Sequence, residues 1–354
     1  MLIGATGLAG LAVLGAGCKR SQGDLSAAGA ASIDSSSPRD GTTMRYRKFG
    51  ATGLEVSEVG FGSWGIGGKA YGAVEEAESL RALAQAEELG CNFVDTAEVY
   101  GDSERVLGKF LQGRRSRWIV ATKFSGQKAG MTATLERQLA SLQTDVIDFY
   151  QLHWMPRGKN AALFDELGRL KQSGKVRFIG VSLYTARDID EVLQRPEIDG
   201  FQVAFNLLEP DPFLARLSAI RQHRKAVVIR SALREGFLVG KYRRDATFPD
   251  PNDQRHTWSR KQIEQTVDRV EQFRFLERDA GSMVVAAARY PLSFPEVSTV
   301  ILGTKTAAQA QSNFGAVPVG RLQADSLLHI AELQSSLGLG DFWPRFLRGL
   351  GIDN

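Results

Sequence analysis

The sequence predicts an α/β protein, a closed (β/α)8 barrel of the TIM type, on three observations. Seven short runs, NFVDT, WIVATKF, VIDFYQLH, VRFIGVS, GFQVAFN, AVVIRSA and STVILGT, follow one another between Asn92 and Thr304, and VGFGS at 59–63 makes an eighth. They are almost continuously apolar, the pattern of parallel strands buried on both faces. Most are followed by a stretch with helical spacing, such as EEAESLRALAQAEELG or AALFDELGRLKQSG, each ending on a glycine suited to close a helix. Eight such units favour closure into a barrel over an open sheet. No early glycine-rich strand-to-helix turn marks a dinucleotide-binding half, which supports the same choice.

In chain order, MLIGATGLAG comes first, with glycines at the spacing of a nucleotide loop. Only Met1, Leu2 and Ile3 precede it, too few for a core strand, and Asp24 lies in a polar stretch with no second strand. These residues are not a nucleotide site. The uncharged run GATGLAGLAVLGAGC suits the apolar part of an export signal, and Leu14 to Cys18 is similar to a bacterial lipobox with its leucine one position early. Two readings of residues 1–18 stand. One is an export or lipoprotein-type leader, which places the protein outside the cytoplasm or on a membrane through a lipid at Cys18. The other is a dispensable or misassigned leader on a cytoplasmic protein, with Met44 as an internal start. Residues 19–43, rich in Ser, Ala, Gly and Asp, read as a flexible linker. RYRKFGATGLEVSEVGFGS reads as a hairpin leading into the first barrel strand. The barrel is expected over 44–340, with a tail at 341–354.

Composition narrows the function. The chain has 354 residues, 43% hydrophobic and 24% charged, as in ordinary globular proteins. Its 44 basic and 40 acidic residues leave a net charge of +4 spread along the chain, which gives no case for nucleic acid. Two cysteines, Cys18 and Cys91, make neither a disulfide framework nor a metal site.

In a barrel of this kind, chemistry sits where strands end at the C-terminal face. Asp95 closes NFVD, Lys123 closes WIVATK, His153 closes VIDFYQLH, and Tyr100 follows in the loop after Asp95. Singly, the aspartate suits a helix cap, the lysine a solvated position and the histidine a structural role. Together, at three consecutive strand ends, they converge on one volume.

FVDTAEVYGDSERVLG, VATK, DFYQLHW, KVRFIGVS and STVILGTKTAAQAQSNF, in that order, give the chain a resemblance to the aldo-keto reductase superfamily from about Arg45 to Phe314. The resemblance implies a (β/α)8 barrel that binds a nicotinamide cofactor and reduces carbonyls, and it implies that Asp95, Tyr100, Lys123 and His153 are the catalytic tetrad. Carbonyl reduction needs an acid beside the oxygen, and a free tyrosine with a pKa near 10 is a reluctant one. An ammonium beside it, from Lys123, is expected to lower that pKa, with Asp95 holding the lysine and His153 orienting the substrate oxygen.

Cofactor positions carried over by the resemblance are Gly62, Ser63 and Trp64 in the first strand-to-helix turn, and Ser182 and Gln202 for the carboxamide. Leu183 stands where the family usually has an asparagine. Arg230 stands where many members stack an aromatic on the nicotinamide, with Ser231 and Leu233 following toward the pyrophosphate. Gly303, Thr304, Lys305, Gln309 and Asn313 match the adenosine-phosphate motif. Lys305, a lone cation there, favours NADP over NAD. The loop from Lys241 to Trp258 either lines the mouth or lies solvated, and Trp64, Tyr71 and Trp154 point to an aromatic pocket. The expected activity is reduction of an aldehyde, ketone or sugar-derived carbonyl, or the reverse, on a small-molecule substrate. The alternative is a cofactor-holding sensing subunit with slow turnover, which Leu183 and the leader favour and the intact tetrad opposes.

Overall fold

The computed structural model describes residues 43–339, apart from 69, 127, 128 and 316–319. The expected leader with Cys18, the linker up to residue 42 and the tail lie outside the described residues.

Two short antiparallel strands come first, β1 (Tyr46–Lys48) and β2 (Glu55–Ser57). Eight strands then form a closed parallel barrel: β3 (Val59–Gly62), β4 (Phe93–Asp95), β5 (Ile119–Phe124), β6 (Ile147–Leu152), β7 (Val176–Leu183), β8 (Gly200–Ala204), β9 (Ala226–Arg230) and β10 (Thr299–Gly303). Each pairs with the next, and β10 returns to β3 through Val300↔Val59 to Gly303↔Gly62. The strand windows read from sequence were wider than the strands. NFVDT contributes only Phe93–Asp95, and His153 lies one residue beyond β6.

Helices α1 (Glu76–Glu88), α2 (Ser103–Leu111), α3 (Met131–Leu142), α4 (Leu163–Gln172), α5 (Ala186–Leu193) and α6 (Leu217–Arg221) follow β3 to β8 in turn. A long excursion after β9 precedes α7 (Arg260–Glu271), α8 (Glu277–Ala280) and α9 (Met283–Leu292), and α10 (Ala307–Gly315) and α11 (Ala324–Ser336) follow β10. The expected helix from Ala161 begins two residues late, because Gly158–Ala162 winds as a 3-10 turn before α4.

Alternation along the strands divides the core. Outward-facing residues such as Val94, Val120, Tyr150, Val181 and Val203 pack with the helices in one large cluster. Inward-facing Phe93, Ala121, Phe149, Val228 and Ile301 form a second cluster with Phe49 and Val56 of the hairpin region. Phe49 is fully buried, its ring 5.0 Å from Phe149 at 85° and 5.7 Å from Phe93. The hairpin therefore supplies a hydrophobic plug to the interior, worth about 1.5–3 kcal/mol for such a side chain.

Candidate active site

Two residues beyond that apolar inner layer, on the same side of each strand, the side chains become polar: Asp95, Lys123, Gln151 and Arg230 follow Phe93, Ala121, Phe149 and Val228. Ser182 and Gln202 face each other in register on β7 and β8. Above this layer opens a cavity of about 740 Å³.

Asp95 and Lys123 are buried together, 1% and 0% exposed, with Lys123 Nζ donating to Asp95 Oδ2 at 2.5 Å and to Thr96 O at 2.9 Å. Asp95 Oδ1 accepts from Gln202 Nε2 at 2.9 Å and Gln151 Nε2 at 3.3 Å. Burial draws Lys123 below the usual lysine pKa, and the attached carboxylate opposes it. Removing one partner of such a pair leaves a buried charge uncompensated, at about 3–5 kcal/mol.

Tyr100 lies between three neighbours. Its ring stacks on Trp64 at 5.7 Å, meets the His153 ring edge-on at 5.9 Å, and has Lys123 Nζ 5.0 Å from its centroid. The backbone permits this through two glycines. A Cβ on Gly67 would stand 1.8 Å from Tyr100 O, and one on Gly101, at φ +57°, would stand 2.2 Å from Gly67 O.

The expected lowering of the tyrosine pKa is not what the structure shows. Burial, and next the Asp95 carboxylate, push the Tyr100 phenol well above 10, with Arg230 opposing. The Lys123 hydrogen bonds go to Asp95 and Thr96.

His153 Nδ1 lies 2.8 Å from Ser125 Oγ. Burial, then the charges of Lys123 and Arg230, lower its pKa from 6.5 to about 3, so the imidazole is neutral at ordinary pH. The site thus joins a protonated phenol, a neutral imidazole and a buried ion pair beside one cavity. That set can give a proton to an oxygen and hold it by hydrogen bonds.

With this geometry stands the sequence match, in which the model of the aldo/keto reductase family covers residues 58–335. The chain belongs to the aldo/keto reductase family. By that membership it is an NAD(P)-dependent oxidoreductase. An aldo-keto reductase of Bacillus subtilis is 28% identical over 292 residues, 76% of this chain and 87% of its own length. The NADH-specific methylglyoxal reductase of Escherichia coli is 26% identical over 319 residues, 80% of this chain and 97% of its own. The holo form of an aldo-keto reductase from Bacillus halodurans has a TM-score of 0.66 at 28% identity, covering 82% of this chain and 96% of its own.

Most of the positions that the aldo-keto reductase resemblance assigns to catalysis and cofactor line the cavity: Asp95, Tyr100 and His153, Gly62, Ser63 and Trp64, Gln202, Arg230, Ser231 and Leu233, and Gly303, Lys305, Gln309 and Asn313. Lys123, Ser182 and Thr304 are buried and are not among the lining residues. Thr304 accepts from Asn313 Nδ2 at 2.9 Å and so holds that side chain. Ser63 Oγ donates to Asp95 O at 2.7 Å, tying the first turn to the tetrad. Leu183 packs into the outer core, and only its carbonyl turns to the site, accepting from Arg230 Nη2 at 3.2 Å. Lys305 Nζ donates to the carbonyls of Tyr71, Gly72 and Ala73 at 2.6, 3.2 and 3.3 Å, so its three protons are engaged with the loop after β3.

A nicotinamide fits the polar layer on a structural ground. Among the described residues, Ser182 Oγ and Gln151 Oε1 are buried without a partner, beside the Gln202 amide. A carboxamide, with one acceptor and two donors, would complement these groups.

The loop from Lys241 is part of the site. Arg255 holds Asp253 through Nε at 2.9 Å and Nη2 at 2.6 Å, reaches Glu235 O and Tyr242 Oη, and is buried. Gln254 Nε2 donates to Tyr71 Oη at 2.8 Å, which ties this loop to the one after β3. Of the three aromatics expected at the mouth, Trp64 and Tyr71 line the cavity, whereas Trp154 lies outside its lining and donates to Ser125 O at 3.3 Å. Sequence reasoning missed Ser125, Gln151, Tyr184, Glu235 and Arg255. Of these, Gln151 was open to detection, as the inward position two after Phe149.

Proposed function

We propose that the protein reduces an aldehyde or ketone to an alcohol, or runs the reverse, with Tyr100 supplying the proton. The observation that carries this is the gathering of Asp95, Lys123, Tyr100 and His153 at one wall of the cavity. When bound, a reduced nicotinamide supplies hydride to the carbonyl carbon. The rest falls to the chain's own groups. Tyr100 keeps its proton through the neutral range because burial and Asp95 disfavour the phenolate. That is the protonation state reduction needs, and the raised pKa makes the phenol a weaker acid than a free tyrosine, so the proton moves only as negative charge builds on the substrate oxygen. Asp95 and Lys123, locked as a pair, hold the floor beneath the phenol and present the ammonium to its ring. Neutral His153, braced by Ser125, donates to the substrate oxygen.

Ser182 and Gln202 would hold the carboxamide, and Gly62, Ser63 and Trp64 the nicotinamide end. Ser231 and Leu233 would meet the pyrophosphate. Gly303, Thr304, Gln309 and Asn313 would shape the adenosine end. Lys305 is the cation in reach of a 2′-phosphate once it exchanges its backbone carbonyls for it, so NADPH is the proposed cofactor, with NADH the weaker one.

The test is oxidation of NADPH and of NADH with a panel of aromatic aldehydes, alongside fluorescence titration of both cofactors. Turnover with NADPH preferred is the expected result. Tight NADPH binding with no aldehyde-dependent oxidation would instead support the slow-turnover sensing subunit.

A further inference from the structure

We propose that Glu98 is a positioning residue for the reaction: its carboxylate holds Ser125 in place, and Ser125 in turn orients His153. This rests on the reductase reading above and adds the group that sets the histidine. Glu98 lies in the loop after β4, two residues before Tyr100. Along this loop the backbone goes on pairing with β5 beyond the end of β4. Thr96 N donates to Ala121 O at 2.9 Å, and Glu98 N to Lys123 O at 3.4 Å. The chain then turns, with Tyr100 N donating to Ala97 O at 3.0 Å. At the turn the Glu98 side chain takes over from the main chain, and its Oε1 accepts from Ser125 N at 2.6 Å. Ser125 Oγ is the group 2.8 Å from His153 Nδ1, and Ser125 O accepts from Trp154 Nε1 at 3.3 Å. One carboxylate therefore joins the loop that carries the acid to the serine that braces the histidine.

Glu98 is 7% exposed and is not among the residues that line the cavity, so it acts through another group. Among the described residues its Oε2 is buried without a hydrogen-bond partner. The cation paired with it, Arg137, has Nη2 4.0 Å away and donates from that nitrogen to Thr134 Oγ1 at 3.0 Å. A buried carboxylate oxygen without a donor destabilises the fold, so packing does not account for an acid here. The gain lies at the other oxygen, because an ionised acceptor makes a shorter and stronger bond to an amide than a carbonyl does. Asp102, farther along the same loop, shows the ordinary alternative: it is exposed and pairs with Arg105 at 3.1 Å.

The experiment removes the carboxylate and follows the histidine. Glu98→Ala should lower kcat for aldehyde reduction about three- to tenfold, the worth of roughly one net hydrogen bond, with the NADPH dissociation constant unchanged. Glu98→Gln keeps an oxygen acceptor for Ser125 N and should restore kcat. In Ser125→Ala, which already lacks the hydroxyl, removing Glu98 as well should cost no further rate. A second readout needs no turnover: in the nitrogen-15 spectrum, the wild-type tautomer of His153 should be lost in Glu98→Ala and kept in Glu98→Gln. Glu98→Ala with wild-type kcat and an unchanged His153 spectrum overturns the proposal, even if its melting temperature falls. So do losses that multiply in the double variant, which would show that the two residues act separately. A folded Glu98→Gln as slow as Glu98→Ala also overturns it, as does weakened NADPH binding with the His153 spectrum unchanged. If Glu98→Ala fails to fold, Glu98→Met, which fills the space without an acceptor, takes its place in each comparison. If the wild type turns over no aldehyde, the reductase reading fails, and the His153 spectrum by itself decides whether Glu98 orients the histidine.

Discussion

The His153 imidazole is held neutral and in one orientation by different neighbours. Burial and the charges of Lys123 and Arg230 lower its pKa to about 3, and Ser125 fixes Nδ1 at 2.8 Å. Which nitrogen carries the proton follows from the bond the other one makes. If the Ser125 hydroxyl donates to Nδ1, Nε2 keeps its proton as a donor for the substrate oxygen. Since His153 charges only as pH falls toward about 3, reduction should show no histidine limb between pH 5 and 8. A limb near 6.5 in kcat/KM would contradict this. Ser125→Ala should lower kcat about three- to tenfold, the worth of roughly one net hydrogen bond. Ser125→Thr should restore it, and the nitrogen-15 spectrum of His153 should report a mixed tautomer in the alanine variant alone. The tetrad was legible in the sequence because polar residues break apolar strands at their ends. Ser125 was not, because its partner lies 28 residues away and a serine in a loop carries no pattern.

At the level of elements, the turn Ser63–Gly67 and the loop holding Tyr100 are pressed together, backbone to backbone. The stacking of Trp64 on Tyr100 depends on that approach. Gly67→Ala would place a methyl carbon 1.8 Å from Tyr100 O, so one segment must move. Such overpacking is expected to remove about 1–3 kcal/mol of stability. A displacement of about an ångström at the acid is expected to lower kcat on the order of 10²-fold. Thermal melts and single-turnover rates measure the two effects. A variant with wild-type rate and melting temperature would show that the contact does not position Tyr100. The eight strands were legible from their apolar runs, and α1 and α4 from spacing. The Lys241–Trp258 loop was not, because it has no periodicity. What draws it over the cavity is one buried arginine that satisfies Asp253, Tyr242 and Glu235 at once, a set of contacts that no local pattern encodes.

Across the whole molecule, a single alternation organises the barrel. The hairpin plugs the interior with Phe49, an apolar layer lies above it, and a polar layer follows two residues farther along the strands. The alternation explains why Lys123 is fully buried yet charged: it continues a barrel-filling strand and meets Asp95 from the neighbouring one. The fold and half of the cavity-lining residues followed from strand order and motif resemblance, whereas the electrostatics did not. The sequence placed a lysine near a tyrosine, but burial and then the Asp95 carboxylate, which also binds the lysine, push the phenol up where a lowering was expected. The account centres on Tyr100 as the acid, and Tyr100→Phe tests it most directly, since the ring and its stacking on Trp64 stay while the hydroxyl goes. NADPH titration and aldehyde reduction should be measured on the same sample. Cofactor affinity should be unchanged and turnover should fall on the order of 10²–10⁴-fold, the usual worth of a positioned general acid. A Tyr100→Phe protein that binds NADPH normally and reduces aldehydes at near wild-type rate would contradict the account.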